Sequence, residues 1–447
     1  MSEEQLRLGD FRSVGEEHSS DEIPVGYKKT EEGIIPRNWD AQLIGSIFDF
    51  KNGLNKSRHF FGAGTPIVNY MDVYQNSGIY SKKLEGRVAL TREEIRQYEV
   101  KRGDVLFTRT SETVDEVGFT AVILDDPIET VFSGFLLRAR PKKASFTDQF
   151  KKYCFQSEYV RLQIISKSTY TTRALTNGKT LSSIKILIPP LNEQRAIAEV
   201  LTDVDNLIES LDNLIRKKQA IKKATMQQLL TGRTRLPGFK GEWKSVTIGS
   251  LGSVYGGLSG KNKQDFGEGN AFYVTFLNVL QNIVIDPSQF ERVSVLKGEP
   301  QNIVRKGDLL FNGTSETPDE LAMGAAVCDD FGELYLNSFC FGFRIPNQIS
   351  WNPLFFAYLF RSCVGREMLR SLSQGATRHN LSKSQFLQLV VCVPNYLEQQ
   401  AIVSILSDLD AEIEALERQR DKMKQIKQGM MQQLLTGRIR LLDKEAV

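Results

Sequence analysis

The sequence predicts an α+β chain. Two mixed α/β globules, written in tandem, are joined by two long helices that form an antiparallel coiled coil with pseudo-twofold symmetry. Three observations carry this prediction. One unit is written twice along the chain. Each copy ends in a long segment with an apolar heptad stripe. The charges of both segments run from acidic to basic, so only opposed pairing sets unlike charges together.

The repeat is read directly. Segment 101–116, KRGDVLFTRTSETVDE, matches 305–320, RKGDLLFNGTSETPDE, at ten of sixteen positions and an offset of 204. After a one-residue slip, an offset of 205 aligns FKKYCFQS (150–157) with FFAYLFRS (355–362) and Arg173 with Arg378. The same offset aligns MQQLLTGRTRL (226–236) with MQQLLTGRIRL (431–441), ten of eleven. A unit this long is a domain plus an extension, not a solenoid repeat of about 20–50 residues.

Each extension reads as a helix of about 38 residues, or roughly 57 Å at 1.5 Å per residue. Ile197, Leu201, Val204, Ile208, Leu211 and Ile215 form the first seam, and Ile402, Leu406, Leu409, Ile413, Leu416 and Met423 the second. Asn192 and Asn395 are candidate N-caps, with Glu398 at capping-box spacing from Asn395. Gly232 and Gly437 stand where a C′ glycine belongs. Lys222 and Lys427 occupy equivalent seam positions that call for an apolar residue; either the amines snorkel, the favoured reading, or that stretch faces a partner subunit instead of the sister helix.

Between the helices, short β-type runs bounded by Gly and Asp (DVLFT, TAVILDD, TVFSGFLL; DLLFN, GAAVCDD, LYLNSFCFGF) define the globules. Each globule is expected to close with one helical stretch, near Tyr153–Ile165 and Leu354–Leu372, and a final strand. The expected boundaries are a mobile acidic tail (1–23), a first globule (24–189), a first helix (190–232), a second globule (233–394), a second helix (395–437) and a C-terminal tail (438–447). The opening MSEEQLRLGD lacks the basic and apolar pattern of a secretory leader, no run approaches a membrane span, and the expected location is the cytoplasm. Five cysteines without CxxC spacing read as reduced, half-buried thiols.

No catalytic constellation is legible. Arg102-Gly103-Asp104 has Lys306-Gly307-Asp308 as its copy and reads as a turn opening a strand. Asn177-Gly178-Lys179-Thr180 lacks the earlier glycine of a phosphate loop, and the second copy lacks the motif. His59 and His379 have no counterparts in the other copy, and neither a metal set nor a cofactor motif is present. Binding is the better prospect, because three polar loops recur. The first is 51–58 with Lys51, Lys56 and Arg58, matched by 256–263 with Lys261 and Lys263. Gly, Asn, Ser and Lys in one turn suit backbone approach to phosphates and base-edge contact, and equally suit an ordinary solvated turn. The second is Thr-Ser-Glu-Thr (110–113 and 314–317), favoured as a turn that shapes the fold. The third, 168–173 and 373–378, shares Arg173 and Arg378 as candidate phosphate contacts. The formal charge of +3 hides unlike parts, since 24–190 alone holds 25 basic against 18 acidic residues.

With these residues in place, the chain resembles the specificity subunits of type I restriction-modification systems. The marks are Gly33-Ile34-Ile35-Pro36 before Trp39, LPGFKGEW (236–243), the two Gly-Asp strands, IPPLNEQ (188–194) and both MQQLLTGR helix ends. They cover about residues 24 to 441. The resemblance implies two target-recognition domains, each reading one half of a bipartite, asymmetric site in double-stranded DNA. It implies helices that set the spacer and dock two modification (methyltransferase) subunits, with restriction (translocase–nuclease) subunits joining. It implies no catalysis, cofactor or membrane. The alternatives are a specificity subunit of a related restriction enzyme of another type and a coiled-coil adaptor that binds no DNA.

Overall fold

The computed structural model describes residues 23–346 and 351–441. Residues 1–22 of the expected acidic tail and 442–447 of the C-terminal tail lie outside them. The chain divides into two compact units, residues 1–209 with 421–447, and residues 210–420.

In the first unit a five-stranded sheet runs in the order Phe48–Asn52, Leu136–Pro141, Val105–Thr108, Thr120–Ile123, Gly78–Ile79. All its pairs are antiparallel except the last. The central strand Val105–Thr108 is buried on both faces, which is why DVLFT reads as an unbroken apolar run. The Arg102-Gly103-Asp104 tripeptide is the turn before it. Gly103 adopts φ +83°, and buried Asp104 accepts from Arg140 Nε (2.8 Å), Arg140 Nη2 (2.7 Å) and the Lys101 amide (2.8 Å). The second unit repeats this with a four-stranded sheet, Ser253–Gly256, Cys340–Arg344, Leu309–Asn312, Gly324–Ala326. There Asp308 is held by Arg344 at 2.8 and 2.6 Å.

The single helical stretch expected after each sheet is in fact two helices. They are Asp148–Cys154 and Glu158–Lys167 in one unit, Pro353–Arg361 and Cys363–Arg370 in the other. Ser157 and Ser362 cause the break. Each accepts from the amide three residues on and starts a new helix as its N-cap.

The long helices span Leu191–Leu229 and Tyr396–Leu434. In the second unit Asp212 pairs with Arg420, Lys218 with Glu412 and Lys222 with Asp410, so one number rises as the other falls and the pairing is antiparallel. In the first unit Asp205 pairs with Lys427 and Glu193 with Arg440 in the same sense. Ile197, Leu201, Leu211, Ile215, Ile402, Leu406 and Ile413 are buried, whereas Val204, Ile208, Leu409, Leu416 and Met423 are half-buried. Lys222 and Lys427 do not snorkel to water. Lys427 Nζ lies 2.6 Å from Asp205 and 5.6 Å from the Tyr153 ring centre, and Lys222 engages the equivalent Asp410 and Tyr358. The tyrosine hydroxyls donate to the same aspartates, Tyr153 to Asp205 at 2.8 Å and Tyr358 to Asp410 at 2.6 Å.

Asn395 caps its helix by accepting from the Glu398 amide at 3.0 Å. The expected cap at Asn192 is not made. Pro190 holds the position equivalent to Asn395; its carbonyl accepts from the Gln194 amide, but it has no side-chain acceptor, and Asn192 lies inside the first turn. Gly232 and Gly437 have φ +68° and +73°, the left-handed C′ geometry. The nucleotide-loop look-alike is an ordinary helix start, with Asn177 accepting from the Thr180 amide at 3.0 Å.

The Glu-Gln pair that opens each long helix is buried and spent on assembly. Glu193, 0% exposed, accepts from Trp39 Nε1 (2.8 Å) and from Arg440 Nε and Nη2 (2.9 and 2.7 Å). Gln194 receives the Thr147 amide and donates to the Ser145 and Pro189 carbonyls. In the second unit Arg235 binds Glu398 at 2.6 and 2.7 Å, and Gln399 receives the Asn352 amide. Among the described residues no helix is long and apolar enough to cross a membrane and no cluster of metal ligands forms. The five cysteines are unpaired, but only Cys328 is half-buried; Cys154 and Cys340 are buried and Cys363 and Cys392 exposed.

Candidate nucleic-acid interface

In each unit two of the three recurring loops become one small sheet. Thr110–Ser111 pairs with Ala174–Leu175, which pairs with Thr169–Tyr170. In the second unit Thr314–Ser315 pairs with His379–Leu381, which pairs with Ser373–Gln374. The Thr-Ser-Glu-Thr motif shapes this edge. Ser111 and Ser315 accept from the amides of Thr113 (3.3 Å) and Thr317 (3.2 Å), closing a hydroxyl turn. The Tyr74 hydroxyl donates to Glu116 at 2.7 Å and holds that carboxyl below the usual range.

The first loop reaches the same place. Leu54 bridges Ser133, and a Cβ on Gly134 would sit 2.9 Å from the Leu54 carbonyl. Arg109 Nη1 donates to the Gly134 carbonyl at 3.1 Å, and its amide donates to that of Phe135. In the second unit the Leu258 amide bonds Leu336 O at 2.7 Å and the Gly313 amide bonds Phe339 O at 2.8 Å. All three recurring loops therefore meet at the turn carrying Phe135 or Phe339.

These two phenylalanines were not singled out by sequence reasoning. Both are exposed, 62% and 51%, at equivalent turns. Arg378 lies over the Phe339 ring at 5.1 Å, and Arg173 borders the same roughly 380 Å³ hollow as Phe135 and Tyr70. The signal was present as SGF and NSF at an offset of 204, but it was absorbed into the apolar runs that flank it.

The seven candidate cations separate into two groups. Lys51 donates to the Gln97 carbonyl at 2.6 Å, and burial followed by Arg138 and Arg140 pushes its ammonium pKa down. Lys56 pairs with Glu94 at 2.7 Å and Lys261 with Glu299 at 2.6 Å, the latter side chain only 7% exposed. Glu299 is drawn down to about 2, chiefly by Lys261. Arg58, Lys263, Arg173 and Arg378 are exposed. Arg173 lies 3.8 Å from Glu112, and Arg378 is 3.4 Å from the Thr314 hydroxyl. Exposed arginines beside an exposed ring offer phosphate contact, base-edge donors and an apolar surface at one point.

The profile of the type I restriction modification DNA specificity domain matches residues 36–222 and 240–425. The putative type I restriction enzyme MjaX specificity subunit of Methanocaldococcus jannaschii is 24% identical, over 93% of this chain and 97% of its own length. The EcoKI specificity subunit of Escherichia coli is 24% identical over 44% of this chain and 41% of its own. Among solved structures, the type I restriction-modification S subunit from M. genitalium superposes with a TM-score of 0.51 at 15% identity, covering 89% of this chain and 96% of that one. A chain from a study of type I complex assembly and conformational transition superposes with 0.57 at 16% identity, covering 91% and 99%.

Proposed function

Because the chain belongs to the type I restriction-modification DNA specificity family, we propose that each globule reads one half of a bipartite double-stranded DNA site. In this reading the chain is a non-catalytic cytoplasmic subunit. Its helices set the spacer and dock two modification subunits, which restriction subunits then join. The observation that supports it is the convergence of three recurring loops on an exposed Phe–Arg pair in each unit. Tyr70 and Tyr74 border the first hollow with Phe135, and the equivalent positions of the second unit hold Phe276 and Leu280, so the two halves of the target are expected to differ.

Sequencing the methylated bases of the host with and without this chain tests the reading. One two-part motif should vanish with the chain. Phe135→Ala should relax one half of that motif and Phe339→Ala the other. An unchanged methylation pattern on deletion, with no salt-dependent DNA binding, would leave only a coiled-coil adaptor.

A further inference from the structure

The two units differ at an arginine. In the second, Arg361 at the end of the helix Pro353–Arg361 reaches the end of the short helix Phe276–Gln281. Its Nη2 donates to the carbonyls of Val279 (2.8 Å), Leu280 (3.1 Å) and Asn282 (2.7 Å), and its Nε to that of Gly324 (2.6 Å). Among the described residues no carboxylate takes part. Four carbonyls hold the planar head, and burial, then Arg366, lower its pKa to about 10.

In the first unit the strand, helix and bridge registers place Val73, Tyr74, Asn76 and Thr120 at the four acceptor positions. The residue at the arginine's position is Gln156. Among the described residues no side chain donates to those four carbonyls, and all four residues line a hollow of about 800 Å³ together with Gln156. In the second unit Arg361 borders a hollow of about 430 Å³ with Lys222 and Asp410, and the four acceptor residues do not line it. Two residues that line the larger hollow carry a buried polar atom without a hydrogen-bond partner, the Thr120 hydroxyl, on a residue 3% exposed, and Arg161 Nη1. The nearby Lys152 amine is turned to the Tyr153 hydroxyl at 3.2 Å and leaves the carbonyl frame open. Asp205 and Glu209 on the wall offset part of the positive charge of Lys152, Arg161 and Lys427.

We propose that this hollow is a binding site for a guanidinium group, presented by an arginine of a partner protein or by a free guanidino compound, in the frame that Arg361 fills from within the second unit. The helix end leaves carbonyls that require donors, and a planar multi-donor head meets several at once.

Calorimetric titration of the full chain with agmatine tests this. The wild type should take up one equivalent, Gln156→Arg none and Gln156→Ala one. Arg361→Ala, which opens the second frame, should take up two. No uptake by the wild type, or equal uptake by Gln156→Arg, overturns the proposal, as does a single site in folded Arg361→Ala. Should Arg361→Ala fail to fold, the contrast between Gln156→Arg and Gln156→Ala decides. Repeating the titration on the chain assembled with its modification subunits separates the sources. A site closed there is filled by a partner arginine, and a site still open takes a free compound.

Discussion

Removing Arg440 should destabilise the first unit by about 3 kcal/mol, and removing Arg235 should destabilise the second by more. Both arginines make two-point contacts to a carboxylate that is 0% exposed, Glu193 and Glu398 respectively. Breaking a buried pair from one side costs about 3–5 kcal/mol, because the other charge stays buried. The lower end applies, since the arginine side chains themselves are 25% and 27% exposed. The two units then differ in what remains. Glu193 keeps the Trp39 indole at 2.8 Å, but the equivalent Trp243 Nε1 is buried without a partner. A hydrogen bond to a charged group contributes about 1.5–3 kcal/mol, so Arg235→Ala should exceed Arg440→Ala by at least about 1 kcal/mol. For units of this size each kcal/mol moves the melting point by about 2–4 °C. Scanning calorimetry of the full chain reads this directly, with Glu193→Gln/Arg440→Ala and Glu398→Gln/Arg235→Ala closing the double-mutant cycles. Equal losses for the two arginines, or a loss under about 1 kcal/mol for either, would refute the reasoning.

Three further outcomes follow from the same geometry. Arg173→Ala and Arg378→Ala should each weaken DNA binding across all sequences and reduce the salt slope by about one. Lys261→Ala, whose amine is committed to Glu299, should lower stability with little change in slope, and measured slopes that rank these variants the other way contradict the assignment. Glu299 titrates at about 2 in the fold against an ordinary 4.5, so its stabilisation is complete above about pH 4.5 and is lost as pH falls toward 2. The melting-point difference between wild type and Lys261→Met should shrink over that window, and a difference constant with pH would exclude the pair as its origin. One heptad inserted into each long helix adds about 10 Å and should lengthen the methylated motif's spacer by about three base pairs; an unchanged spacer would show that the helices do not measure it.

The parts most legible in the sequence were those whose signal repeats. The heptad stripe, the Gly-Asp turns and the C′ glycines are local patterns written twice, and each copy corroborates the other. Local reading failed where two residues compete for one position. Asn192 has the composition of a cap, but the helix begins one residue earlier, behind Pro190. Ser157 and Ser362 are not legible as helix breaks, because a serine inside an apolar stretch carries no strong stop signal until its hydroxyl finds an amide three residues on.

The candidate site divides in the same way. Loop composition pointed to segments that fold together, but it could not tell an exposed cation from a committed one. Lys261 and Lys263 are two residues apart in one turn, yet the first is paired with Glu299 and the second is exposed. That distinction depends on Glu299, 38 residues away along the chain. Phe135 was hidden for the complementary reason, since an aromatic residue beside a strand is normally core, and only the turn that ejects it makes it a surface.

The sequence by itself determined the duplication, the antiparallel pairing of the helices and the family, because periodicity, charge order and repeated motifs are properties of neighbours along the chain. The tertiary structure alone decided which charges are spent and which are free. It showed that the Glu-Gln pair is buried, that seam lysines meet aspartates, and that one unit fills with Arg361 a frame the other leaves open. These are pairings between residues tens to hundreds of positions apart, which only folding brings within hydrogen-bond reach.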